Sequence, residues 1–251
     1  MKYKKVLGID VGGSGIKGAI VKTKSGKLKS ERHRIVTPQP ATPEAVADVI
    51  DQIVAHFKWD GPIGIGFPAA IQHGFVRTAA NIDDSWIGVN GNELIFKKTG
   101  LPAYLINDAD AAGMAEMKFG AGKGHNGTVL LITVGTGIGT VIYSKGKLVP
   151  NTELGHIFMP NGKEGELYAS DAARKNEDLS WEGWAERFNE YIKYLEALFW
   201  PDLIIVGGGA SKKEKKFFQF LTTNANVVAA ELLNNAGIVG AALAAKANRP
   251  K

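Results

Sequence analysis

The stretch LGIDVGGSGIKGAIV, residues 7–21, decides the fold. Residues 5–10 read as a strand, Val11-Gly12-Gly13-Ser14-Gly15 as a tight turn, and residues 16–22 as a second strand rich in β-branched side chains. Residues 27–36 continue as a third strand, entered through Ser25-Gly26. The pattern then restarts with LITVGTGIGTVIYS, residues 131–144. There a strand over 128–134 meets a glycine turn, a strand over 138–144 and a further turn into GKLVP. A repeated strand, glycine turn and strand implies a duplicated unit and two similar lobes with a cleft between them. The expected division is residues 1–108 plus 237–251 as a small N-terminal lobe with a C-terminal helix, and 109–236 as a larger lobe. GAGKGHNG, residues 120–127, reads as a boundary or hinge.

The remaining elements are those of an α/β chain. Thr42 before Pro43 and Glu44 starts a helix whose apolar positions, Val46, Val49, Ile50, Ile53, Val54 and Phe57, keep helical spacing. Residues 62–68 and 103–108 are short strands, the second followed by a helix over 109–119. A long helix spans about 181–199 and a strand 203–209. A helix near 213–221, a strand over 226–230 and a last helix near 237–248 complete the reading.

Of 251 residues, 31 are glycine, about 12% against a usual 7% or so. Without a G-x-y period this excess is not collagen. Its expected home is the two turns, a Gly207-Gly208-Gly209 loop and the 120–127 segment. Hydrophobic residues at 45% and charged residues at 22% exclude global disorder. With no cysteine, disulfides, thiol nucleophiles and Cys-ligated zinc are out. No leader or membrane span is read, so a cytoplasmic protein is expected. The net charge of +5 favours anionic partners.

Glycine turns let backbone amides approach a ligand and form an anion nest. Gly13-x-Gly15-x-x-Gly18 matches the dinucleotide fingerprint, but no helix opens inside it, so a hairpin fits better. No P-loop occurs. Asp10, beside the first turn, is either a turn cap or a carboxylate that tolerates a neighbouring phosphate through Mg²⁺ and water. Asp108, at the strand-to-helix junction Asn107-Asp108-Ala109-Asp110, is either a cap or a general base for a sugar hydroxyl. Glu153, His156 and Asn81 suit polyol hydroxyls, while Trp86 reads as packing.

Taken in order, Asp10-x-Gly12-Gly13-Ser14-x-x-Lys17, Asn107-Asp108-Ala109-Asp110-Ala111-Ala112, Gly135-Thr136-Gly137-x-Gly139, Glu153-Leu154-Gly155-His156 and Gly207-Gly208-Gly209 resemble the ROK-family sugar kinases. The resemblance covers residues 6 to about 246. TPQPATPE, RTAANIDDSW and LVPNTELGH are similar to the subgroup that uses polyphosphate and ATP. The resemblance implies a two-lobed actin/hexokinase-like, ribonuclease H-like fold. It also implies phosphorylation of the 6-hydroxyl of glucose, with mannose as a second acceptor. The implied roles are Asp108 as base, and Asn81, Asn107, Glu153, His156 and Glu166 as sugar ligands. Gly12, Gly13, Ser14, Gly15 and Lys17 form the first donor loop, and Gly135, Thr136, Gly137 and Gly139 the second. Gly207, Gly208 and Gly209 cradle adenosine in ATP users, and Asp10 is the Mg²⁺-associated residue. Many relatives follow the ExGH segment with a cysteine-rich zinc motif. HIFMPNGKEGELYAS has none, so zinc is not expected.

Lys212, with Lys213, Lys215 and Lys216, follows the third glycine loop and is either a solvated face or a polyphosphate track. Two other readings stay open: an ATP-dependent kinase for another hexose, and a basic nucleic-acid-binding protein, which lacks any RRM, OB or helix-turn-helix signature. No nucleic-acid or membrane partner is expected. A homodimer is the reading taken for assembly.

Overall fold

The computed structural model describes residues 4–248. The chain separates into two compact units. One runs through Ala115 and resumes at Asn235; the other is Glu116–Asn234.

In the first unit, β1 (Lys5–Gly12) and β2 (Gly15–Lys22) form an antiparallel hairpin closed by the two residues Gly13 and Ser14. β3 (His33–Ile35), helix α1 (Pro43–His56) and β4 (Ile63–Phe67) follow. A small hairpin of β5 (Ile71–Gln72) and β6 (Phe75–Val76) leads to α2 (Gly91–Thr99) and β7 (Ala103–Asn107). Helix α3 (Asp108–Phe119) carries the chain across the unit boundary. The sheet order is β3-β2-β1-β4-β7, with β1, β4 and β7 parallel. Thr42 caps α1 by accepting the Ala45 N–H at 3.4 Å. Val46, Val49, Ile50, Ile53 and Val54 of α1 are buried in the same core as Leu7, Ile9 and Ile65, each contributing about 1.5–3 kcal/mol of transfer free energy.

The second unit repeats the order. β8 (Thr128–Val134) and β9 (Ile138–Ser144) form a hairpin, followed by β10 (Lys147–Val149). Helices α4 (Gly165–Ala169), α5 (Asp171–Asn176) and α6 (Trp181–Phe199) come next, then β11 (Leu203–Gly208) and β12 (Asn226–Ala229). The sheet order is β10-β9-β8-β11-β12, and β8, β11 and β12 are parallel. Both sheets are thus a three-strand meander plus two parallel strands, the duplication expected from the two glycine turns. Trp184, Phe188, Tyr191, Ile192 and Leu195 of α6 share one core with Leu130, Ile132, Ile204 and Val206. Helix α7 (Ala236–Ala247) then returns to the first unit and packs on β1, β4 and β7.

Two secondary-structure readings change. The third strand shrinks from residues 27–36 to His33–Ile35, with a lone bridge at Val21–Leu28. Ser30 Oγ accepts the Ile20 N–H at 3.0 Å, so a side chain replaces a ladder bond and the segment departs from the edge. The helix expected near 213–221 is two 3₁₀ segments, Ala210–Lys216 and Phe218–Phe220, with a kink at Lys213. An α-helix over that stretch would stack Lys213 on Lys216, and like charges at that spacing repel. Phe217 instead enters the aromatic cluster of Trp181, Trp184 and Phe188.

The glycine surplus is also distributed differently. Gly8 and Gly64 lie inside strands, where a Cβ would fall well within 3.0 Å of the Ile238 and Ala241 carbonyl oxygens of α7. A Cβ on Gly240 would likewise collide with the Ala111 carbonyl of α3. These three glycines therefore let α7 lie directly against backbone. The 120–127 segment lies inside the second unit. Glu116, fully buried, accepts N–H groups from Ala121 at 3.0 Å, Glu231 at 3.2 Å and Leu232 at 2.7 Å. That carboxylate ties the end of α3 to the strand-free stretch leading into α7.

Candidate active site

Because β1, β4 and β7 are parallel, their carboxyl ends share one edge of the first sheet. Ligands of open α/β sheets bind at that edge. It carries the Gly13-Ser14 turn after β1 and the Asn107-Asp108 junction after β7. Asp10 sits opposite Lys17 across β1 and β2, with Lys17 Nζ 3.9 Å from its carboxylate. Burial pushes the Asp10 carboxyl up, and Lys17 pulls it down. A half-buried carboxylate beside a glycine turn, with one lysine for counter-charge, is a donor set that fits Mg²⁺ bound through few protein oxygens and water.

Asn107 is buried and commits one donor and one acceptor of its amide to structure. Its Nδ2 donates to the Ala69 carbonyl at 3.2 Å, and its Oδ1 accepts the Asp110 N–H at 3.0 Å. Asn107 is therefore the N-cap of α3, which fixes the backbone from which Asp108 projects. Asp108 is half-buried, and its Oδ1 accepts the Ala109 N–H at 2.7 Å. A cavity of about 350 Å³ opens beside the first turn, lined by Gly12, Gly13, Thr37, Gln39, Asn81 and Asp83 among others. The structure thus brings Asn81 to the same cavity as Gly12 and Gly13. Trp86 is fully buried against Phe67 and donates Nε1–H to the Ala41 carbonyl, a packing role as read from the sequence.

In the second unit, the turn Gly135-Thr136-Gly137 closes β8 and β9, with the Gly135 N–H donating to the Gly137 carbonyl at 3.0 Å. Gly139 lies within β9, opposite Thr133. Glu166, read as a sugar ligand, accepts the Ile138 N–H at 3.1 Å and packs against Gly137, so one of its oxygens supports the turn. The segment that carries Glu153 and His156 is anchored through Thr140, whose Oγ1 donates to the Thr152 carbonyl at 2.8 Å and accepts the Leu154 N–H at 3.0 Å. Gly155 lacks the Cβ that would strike the Ile138 carbonyl, which is why this segment can cross the start of β9.

His156 Nδ1 is hydrogen-bonded to Glu164, with Glu166 at 4.0 Å and Glu153 3.8 Å from Nε2. The Glu164 hydrogen bond raises the imidazole above its ordinary range, burial opposes it, and Glu166, Glu164 and Glu153 add to the rise. Burial also raises Glu153. His156, Glu164 and Glu166 offer ligand atoms within 4.8 Å of one another, and together they could hold a metal ion. Glu164 was invisible as a partner in the sequence, where the resemblance singled out Glu166 instead. Removing it should be visible directly: in Glu164→Gln the His156 pKa falls toward the ordinary value, followed by NMR titration of the ring. A raised histidine stabilises the fold below about pH 6.5, and that contribution is lost as pH rises through the folded pKa. The variant's stability should therefore differ from the parent's in the acidic window and converge with it at alkaline pH. An unchanged His156 titration would refute the pairing.

The third glycine loop ends β11. Gly208 has φ of 76° and its missing Cβ clears the Val134 carbonyl. Gly207 lies within β11 beside Thr133, and Gly209 is the N-cap of the 3₁₀ segment that holds Lys212. A second cavity of about 400 Å³ is lined by Lys212, Lys213, Lys215 and Lys216 with Ala229 and Leu233. Among the described residues no helix is long and apolar enough to cross a membrane.

This geometry can be set beside known proteins. The ROK family model matches residues 6–167. The chain is 48% identical to the polyphosphate glucokinase of Mycobacterium tuberculosis over 96% of its length and 91% of that protein's. It is 45% identical to the polyphosphate glucokinase of Mycobacterium leprae over 96% of this chain and 75% of that one. The inorganic polyphosphate/ATP-glucomannokinase of Arthrobacter sp. strain KM superposes with a TM-score of 0.93 at 46% identity, covering 98% of this chain and 99% of that one. The ROK family glucokinase of Streptomyces griseus, solved with glucose and AMPPNP, superposes with a TM-score of 0.79 at 29% identity, covering 97% and 100%. With its two duplicated sheets, its glycine turns and these similarities, the chain belongs to the ROK family and has its actin/hexokinase-like α/β fold.

Proposed function

We propose that this chain is a glucokinase that transfers a phosphoryl group from inorganic polyphosphate or ATP to the 6-hydroxyl of glucose, with mannose as a second acceptor. The observation that carries the reading is the shared sheet edge in the first unit. A glycine turn with an Asp–Lys pair and a helix-capped Asn107–Asp108 junction stand at the ends of parallel strands. The first element suits phosphates and the second suits a hydroxyl nucleophile.

In this reading the Asp108 carboxylate accepts the 6-hydroxyl proton as that oxygen bonds to phosphorus. The bond from phosphorus to the bridging oxygen breaks, and shortened polyphosphate or ADP leaves. Asn81, Asn107, Glu153, His156 and Glu166 are assigned to sugar hydroxyls. The turns at Gly12, Gly13, Ser14, Gly15 and at Gly135, Thr136, Gly137, Gly139 hold donor phosphates, with Lys17 as counter-charge. Gly207, Gly208, Gly209 and Lys212 serve the distal part of the donor. Asp10 would hold Mg²⁺ through water, and that ion supplies charge neutralisation at the phosphates. The assembly assigned to the chain is a homodimer, checked by sedimentation.

The decisive assay crosses glucose, mannose and other hexoses with ATP and polyphosphate, and follows hexose 6-phosphate with and without Mg²⁺ chelation. Glucose 6-phosphate from polyphosphate, abolished by chelation, is the expected result. Absence of product with both donors would overturn the reading. A different hexose preferred with ATP alone would favour the other-hexose kinase.

A further inference from the structure

Arg34 of β3 has been given no role, yet three observations place it at the first glycine turn. Arg34 lies opposite Lys17, and Lys17 opposite Asp10, so the three side chains form one row on the same face of β3, β2 and β1. Arg34 Nη2 donates to the Ser14 carbonyl at 2.5 Å, inside the turn itself. Its guanidinium also rests on Gly15, where a Cβ would come within 2.7 Å of Cζ and Nη2. Gly15 is thus glycine because a planar cation needs the space.

Thr37 completes the support, its Oγ1 donating to the Gly12 carbonyl at 2.5 Å. Each peptide unit is a rigid plane. Thr37 therefore fixes the Gly12–Gly13 plane and Arg34 the Ser14–Gly15 plane. Arg34 is exposed and carries five N–H donors on a permanently charged fork that matches phosphate oxygens. One donor goes to Ser14. The cation on the fork adds to Lys17 and leaves the Asp10–Lys17–Arg34 row with a net positive end toward the sheet edge.

We infer that Arg34 is a donor-site residue, which fixes the Gly13-Ser14 turn and presents its guanidinium to the phosphate oxygens of the phosphoryl donor. The inference rests on the reading of this turn as a donor loop. The test measures donor and glucose kinetics for Arg34→Gln, Arg34→Lys, Gly15→Ala and Lys17→Ala. It also measures polyphosphate binding by calorimetry without glucose, and the melting temperature of each variant. Arg34→Gln should weaken polyphosphate binding and raise the donor KM roughly tenfold or more. Its glucose KM should stay within about twofold, and the salt dependence of donor KM should become shallower. Arg34→Lys should recover part of the loss, since it keeps the charge without the fork. Gly15→Ala should reproduce the donor defect with Arg34 still in the chain. Donor binding and KM within twofold of the parent in Arg34→Gln, while Lys17→Ala impairs them, would overturn the role of Arg34 alone. No effect in either variant would refute the donor-loop reading beneath it. Donor and glucose KM rising together in a destabilised Arg34→Gln, with Gly15→Ala normal, would also overturn the inference in favour of a purely structural residue.

Discussion

Asp108→Asn should cut kcat by roughly 10²–10⁴-fold while leaving glucose affinity within about threefold and the melting temperature unchanged. Asp108 is the first residue of α3, held by the Asn107 cap, and its Oδ1 accepts the next amide hydrogen. Asparagine keeps that acceptor and nearly the same volume, so the local backbone has no reason to move. What it loses is a group able to take a proton. A defect confined to kcat marks an interaction made during reaction rather than on binding. Calorimetric glucose affinity and steady-state kinetics on the same preparation separate the two. Near-normal kcat in this variant would remove Asp108 from the chemistry.

Gly240→Ala should be among the most destabilising single substitutions in the chain, though it adds only one methyl group. The new Cβ would collide with the Ala111 carbonyl of α3, a backbone atom with no rotamer to change. Overpacking of this kind costs about 3 kcal/mol or more, which lowers the melting temperature by roughly 6–12 °C in a chain of this size. Gly13→Ala is the contrast, because a Cβ there meets nothing within 4 Å, and it should melt like the parent. Thermal denaturation of the pair is the measurement. If Gly240→Ala also melted like the parent, the close seam between α3 and α7 would not exist in solution.

The two sheets were legible because their signal is local. Each hairpin is written as strand, glycine and strand within about fifteen residues, and α1 and α6 carry regular apolar spacing. Asp10, Asn107 and Asp108 were visible for the same reason, since each stands at a junction between recognisable elements. The rest depends on what meets what. Nothing in HRIVTP announces that Arg34 will lie on Gly15 across a strand pair. The resemblance singled out Glu166 in GKEGE, and nothing there announces that Glu164 meets His156 or that Glu166 supports the second turn. Gly8, Gly64 and Gly240 drew no reading of their own because their partners, Ile238, Ala241 and Ala111, are remote or on another element. The lysine run misled in another way. Its composition permits a helix, but its charge spacing and the pull of Phe217 into the aromatic core do not.

Helix α7 has a consequence for how the molecule is made. The strands of the first sheet leave the ribosome early, but the helix that covers Gly8 and Gly64 follows the whole of Glu116–Asn234. Until that helix emerges, β1 and β4 present a bare, glycine-lined face. The first unit cannot finish folding before the second has been synthesised, so vectorial folding runs from the inserted unit outward. The order in which the chain is written is not the order in which its parts become complete.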